Sequence, residues 1–111
     1  MSFSANTEVK NGIARITLTG ELDASSAPEF KTQIEKAASE KPRRLVLMLE
    51  GLEYMASAGL RVLIFAKQKL GSATDIYVVG AQAPIVETLE MTGFHHSVVM
   101  LDKYDATQIE G

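Results

Sequence analysis

A chain of 111 residues with 46% hydrophobic and 23% charged residues is long enough to close one hydrophobic core and too apolar to stay disordered. Its formal net charge of −3 offers no electrostatic footprint for nucleic acid, and no apolar run approaches the roughly eighteen residues of a membrane span. The absence of cysteine removes disulfides, thiolate metal sites and cysteine nucleophiles.

Residues 3–9 are mixed in character and lead into Asn11-Gly12, a two-residue hairpin signal because both residues tolerate positive φ. Ile13 to Thr19 then alternates, with Ala14, Ile16 and Leu18 on one face and Arg15, Thr17 and Thr19 on the other. This is the pattern of a strand with one wet face. Gly20-Glu21-Leu22-Asp23 turns the chain. Ser26-Ala27-Pro28-Glu29 reads as a capping box with proline in the first turn, and Ala27, Phe30, Ile34, Ala37 and Ala38 recur at helical spacing. Lys41-Pro42 ends that helix, and Arg43-Arg44 read as solvated punctuation before the next element sooner than as a phosphate site.

Leu45 to Leu49 is an unbroken apolar run, too short for a good helix and suited to a strand buried on both faces. A turn is expected at Glu50 and Gly51. After the small-residue step Ala56-Ser57-Ala58-Gly59, an apolar block runs from Leu60 to the polar Lys67-Gln68-Lys69. It predicts a helix whose first turns are buried nearly all round, closed by Gly71 as a left-handed cap. Ile76 to Val79 is a second apolar strand, closed by Gly80. Pro84 opens a helix carrying Ile85, Val86, Leu89 and Met91, and Gly93 stops it. Val98 to Leu101 forms a last short strand, and Asp102 caps a final helical turn that includes Tyr104, Ala106 and Ile109. Each of the two purely apolar strands is followed by a helix, which implies right-handed crossovers and parallel pairing. The expected architecture is an α/β domain over residues 1–111, with a mixed sheet and helices packed mainly on one face.

Residues able to carry chemistry are few. Ser57 stands where a strand hands over to a helix N-terminus. A hydroxyl there can cap the helix, or it can carry a phosphate, because free amides and the helix dipole favour an anion. His95 and His96 are adjacent, and neighbouring side chains on a strand point apart, so they cannot share one metal. Glu21, Asp23, Glu50 and Glu53 are loop acids without acid/base spacing. Ala56-Ser57-Ala58-Gly59 does not match a G-x-S-x-G elbow, and no glycine-rich phosphate loop is present. No catalytic residue, metal site or cofactor is expected, and the chain does not read as an enzyme.

Gly20-Glu21-Leu22-Asp23 and Met55-Ala56-Ser57-Ala58-Gly59-Leu60 resemble the two signature stretches of the STAS family, most closely its small stand-alone bacterial anti-sigma factor antagonists. The element order agrees from about Phe3 to Ile109. The resemblance implies that Ser57 is the serine phosphorylated by an anti-sigma factor that is itself a kinase. It further implies that the unphosphorylated form binds that kinase and frees the sigma factor, and that a metal-dependent serine phosphatase resets the switch. The family usually has aspartate where this chain has Ala56, and Ala58 leaves Ser57 the one acceptor hydroxyl in the motif. The partner surface expected on this basis comprises Glu21 and Asp23 on one loop with Ser57, Ala58, Gly59, Leu60 and Arg61 at the helix start. Gly59 would let a partner approach closely.

Two other readings compete. One is a constitutive interaction module in which Ser57 only caps the helix, a reading that Ala56 favours. The other is a sensor of a nucleotide or lipid bound at the same helix N-terminus, for which no base-stacking aromatic or phosphate loop is supplied. The N-terminal Met1-Ser2-Phe3-Ser4 lacks a signal-peptide pattern, so a cytoplasmic setting is expected. The exposed faces show no evident apolar patch, and a monomer is the expected state.

Overall fold

The computed structural model describes residues 2–111; Met1, part of the N-terminal stretch read for a signal pattern, lies outside them. Strands β1 (Phe3–Lys10) and β2 (Ile13–Leu22) form the antiparallel hairpin. Asn11 at φ 55° and Gly12 at φ 78° supply the paired positive φ that such a two-residue turn requires. Then follow α1 (Ala27–Ser39), β3 (Arg44–Met55), α2 (Ser57–Leu70), β4 (Asp75–Val79), α3 (Ala83–Met91), β5 (Val99–Leu101) and α4 (Ala106–Glu110), with a short 3-10 turn at Phe94–Ser97. The sheet order is β1-β2-β3-β4-β5, and every pairing after the hairpin is parallel.

The alternation of β2 places Ala14, Ile16 and Leu18 in the core without exposure, while Thr17 and Thr19 face solvent. The apolar run of β3 is buried on both faces, as its composition requires. Leu45, Leu47 and Leu49 join Phe30, Ile34, Leu63, Ile85 and Leu89 in the large core under α1, α2 and α3. Val46 faces the other way, with Tyr77, Val79 and Ile109, under α4. Helices thus lie mainly on one face, and α4 covers part of the second.

Five local expectations are corrected. No turn forms at Glu50-Gly51. Instead β3 runs on to Met55, and shifts in its pairing with β2 between Thr17 and Thr19 and between Gly20 and Glu21 absorb the extra residues as bulges. For the same reason β2 continues to Leu22, so the chain turns at Asp23 rather than from Gly20. The capping box at Ser26 does not form, because Ser26 is itself in the right-handed helical region and its hydroxyl is turned back toward Asp23. At the C-terminus Asp105 caps α4 by accepting from the Gln108 amide at 3.2 Å, leaving Asp102 and Tyr104 before the helix. Arg44 is not solvated punctuation either: its guanidinium donates to the carbonyls of Gln108, Ile109 and Gly111 and approaches Asp75 at 3.8 Å, fastening α4 to the sheet.

Candidate functional site

The C-terminal ends of β2 and β3 bring the two signature stretches together. Leu22 pairs with Met55 and Glu21 with Tyr54, and the Ala56 amide donates to the Leu22 carbonyl at 2.8 Å. The loop after β2 and the start of α2 therefore share one edge of the sheet, where open α/β sheets place their ligands. Glu21, Asp23, Ser57, Ala58 and Arg61 lie at the surface there, wholly or in part, whereas Gly59 and Leu60 are buried.

Ser57 is the first residue of α2 and exposed. The cap position belongs to Ala56, in extended backbone at φ −82° and ψ 169°, which has no side-chain acceptor to offer. Ser57 is therefore not the cap, and its hydroxyl forms no hydrogen bond among the described residues. The first turn of α2 carries no acidic side chain, so its free amides remain the local positive end. An acceptor at residue 56 would complete the helix. Ala56→Asp is expected to raise folding stability by about 1 kcal/mol, read as an upward shift of the urea midpoint at constant slope.

The neighbouring loop is held by its own acid. Asp23 Oδ1 accepts from the Ser25 amide at 3.0 Å, the Ser25 hydroxyl at 2.8 Å and the Ser26 amide at 3.0 Å. The Ser26 hydroxyl accepts the Asp23 amide at 2.9 Å and lies 3.0 Å from both the Glu21 carbonyl and Asp23 Oδ1. The hydrogen bond from the Ser25 hydroxyl, followed by those from Ser26, holds the Asp23 carboxyl below its ordinary value of 3.8. The sign follows from linkage: the charged form is favoured in the fold, so the stabilisation is complete above the ordinary aspartate value and is lost as pH falls through the depressed one. The stability gap between wild type and Asp23→Asn is expected to be full near neutral pH and to close in acid. Urea titrations across that range check this, and a gap independent of pH refutes it.

Gly59 has a reason other than access for a partner. A β-carbon there would lie 2.6 Å from Leu22 Cδ2 and 3.0 Å from Met55 Cγ, so the missing side chain lets α2 seat on the strand ends. Nor is the start of α2 buried all round: Ser57, Arg61 and Ile64 form an exposed stripe, with Ile64 at 41% exposure. Sequence reasoning also missed an apolar groove of about 470 Å³ between α1 and α2. Ala24, Ala27, Pro28 and Lys31 line one side, and Ala58, Arg61, Val62 and Phe65 the other. The signal was present in the i, i+3, i+4, i+7 spacing of the last four and in the small residues facing them.

Elsewhere, His95 and His96 lie in the 3-10 turn with ring centroids 3.9 Å apart, not on a strand. Among the described residues no three His, Cys, Asp or Glu side chains come together in a metal-binding group, and no helix is long and apolar enough to cross a membrane.

A mixed parallel sheet with helices mainly on one face, bearing an exposed serine at the open end of its second helix, defines the class: a small α/β domain with a hydroxyl presented at a helix N-terminus. The model of the STAS domain family matches residues 4–107, and the chain belongs to that family. It is 30% identical over 69 residues to the anti-sigma-F factor antagonist RsfB of Mycobacterium tuberculosis, covering 62% of this chain and 57% of the relative's length. It is 29% identical over 85 residues to the putative anti-sigma factor antagonist BtrV of Bordetella bronchiseptica, covering 76% and 73% of the two chains. The crystal structure of an anti-sigma factor antagonist from Mycobacterium paratuberculosis superposes with a TM-score of 0.89 at 26% identity, over 99% of this chain and 96% of that one.

Proposed function

We propose that this protein is an anti-sigma factor antagonist. Its unphosphorylated form binds a kinase-type anti-sigma factor and frees the sigma factor, and phosphorylation of Ser57 switches it off. The observation that carries the reading is the Ser57 hydroxyl, exposed on the first residue of α2 and engaged by no described residue. A kinase can reach it without unfolding anything. The partner surface is formed by Glu21, Asp23, Ser57, Ala58 and Arg61, with Gly59 acting from beneath by letting α2 seat on Leu22 and Met55, and Leu60 buried in the core behind it. A serine phosphatase that uses a metal ion would reset the switch, and the setting is the cytoplasm. The printed roles of the mycobacterial and Bordetella relatives support the antagonist assignment.

The chemistry is that of a binding protein. The exposed serine has no imidazole or amine base in hydrogen-bond reach among the described residues, and a hydroxyl without a base is a poor nucleophile but an adequate phosphate acceptor. One observation favours a second reading, a constitutive interaction module: Ala56 stands at the cap where the family carries aspartate. Intact-mass spectrometry of the protein from its own cells, with the modified residue located by fragmentation, decides between them. A phosphate on Ser57 is expected; its absence under several growth conditions would favour the constitutive module.

A further inference from the structure

Far from Ser57, at the opposite end of the strands, lies a cleft of about 300 Å³ that the switch does not use. It arises because α4 covers only part of the second face of the sheet. Ile109 packs with Val46, Tyr77 and Val79, and this leaves the outer side of the β1–β2 hairpin open beside the helix. Register places Glu8 opposite Arg15 and Lys10 opposite Ile13, giving a floor with one apolar residue. Tyr104 and Glu110 form one wall, and Asn11 and Arg43 close the hairpin end.

Three cations line this cleft in a protein whose net charge is −3. The two carboxylates on its walls are already engaged. Glu8 meets Arg15 at 3.6 Å, and Glu110 accepts the Tyr104 hydroxyl, which pushes the Tyr104 pKa up and keeps that proton in place. Lys10 and Arg43 have no ion-pair partner among the described residues. The Arg43 stem lies along the hairpin turn, with Nε 3.5 Å from where a Gly12 β-carbon would be, which places its fork beside the cleft. Arg15 sits 5.6 Å above the Tyr104 ring. Two guanidinium groups and an ammonium around a partly apolar floor suit a phosphate dianion that carries an organic group.

We propose that this cleft is a binding site for a small phosphomonoester. Lys10, Arg15 and Arg43 hold its phosphate, and its organic part lies on Ile13 and Tyr104. The volume, at the low end of known ligand pockets, limits the ligand to a small one.

The test is an amide NMR titration of the full chain at low salt with phenyl phosphate, inorganic phosphate and phenol. Saturable shifts confined to residues around Glu8 to Arg15, Arg43 and Tyr104 to Glu110 are expected with phenyl phosphate. Its affinity should exceed that of either other probe by about tenfold or more. Arg43→Ala and Lys10→Ala, both at exposed side chains, should each weaken it several-fold while leaving the remaining spectrum unchanged. Equal binding of phenol or of inorganic phosphate overturns the proposal. So does unchanged affinity in both variants, or the lack of a saturable shift by about 10 mM phenyl phosphate.

Discussion

On the proposed assignment, Ser57→Asp is expected to lower affinity for the anti-sigma factor about a hundredfold or more, whereas Ser57→Ala should leave it nearly unchanged. The asymmetry follows from what each change does to the free and bound states. In the free protein the hydroxyl forms no hydrogen bond among the described residues, so its removal disturbs nothing. A carboxylate at the same place is favoured by about 0.3–1 kcal/mol through the amides of the first turn, so the fold is not weakened. At a docked interface the new charge must be stripped of water beside Glu21 and Asp23, which share the same sheet edge. An uncompensated buried charge costs about 3–5 kcal/mol, and a hundredfold loss needs only about 2.7. Phosphate, with about −1.5 to −2 charges, should act more strongly in the same direction. Calorimetric titration of the three forms, with thermal midpoints as a control on folding, checks the claim; equal affinities of the Asp and Ala variants would sink it.

How far this site could be read without coordinates depended on the range of the forces that form it. The Asn11-Gly12 turn and the buried face of Ala14, Ile16 and Leu18 are local or periodic properties, and both stand as expected. The bringing together of Gly20–Asp23 and Met55–Leu60 followed from the family likeness rather than from local pattern. The end of β3 was not legible. Glu50, Gly51 and Glu53 have loop composition, yet pairing with β2 holds this stretch extended, a tertiary effect that overrides propensity. The capping residues failed for a similar reason. Ser26 and Asp102 carry the right chemistry, but the backbone around Asp23 and Asp105 decides which oxygen meets which amide. The cleft behind the hairpin was illegible because it depends on how much of the sheet a five-residue helix covers.

Gly59→Val is expected to destabilise the protein by about 2 kcal/mol, and to do so through one identifiable neighbour. A helix interior ordinarily gains from losing glycine, by up to about 1 kcal/mol with alanine and less with a β-branched residue. Here that gain is outweighed. A β-carbon at residue 59 would sit 2.6 Å from Leu22 Cδ2 and 2.7 Å from its Cγ, and valine adds two methyl groups where Leu22 is wholly buried. Overpacking of this kind costs about 1–3 kcal/mol or somewhat more, since neither the helix nor the strand ends can yield alone. Leu22→Ala by itself should cost about 2–5 kcal/mol by opening a cavity. In the double variant the valine methyls occupy that cavity, so its loss should fall short of the sum by at least about 1 kcal/mol. Urea unfolding of the four proteins measures the coupling, and simple additivity would show that Gly59 is not seated on Leu22. Because Ser57 stands two residues earlier on the same helix, a change in the seating of α2 also moves the site proposed to act as the switch. Gly59→Val should therefore weaken partner binding even at temperatures where it remains folded, without any charge being introduced.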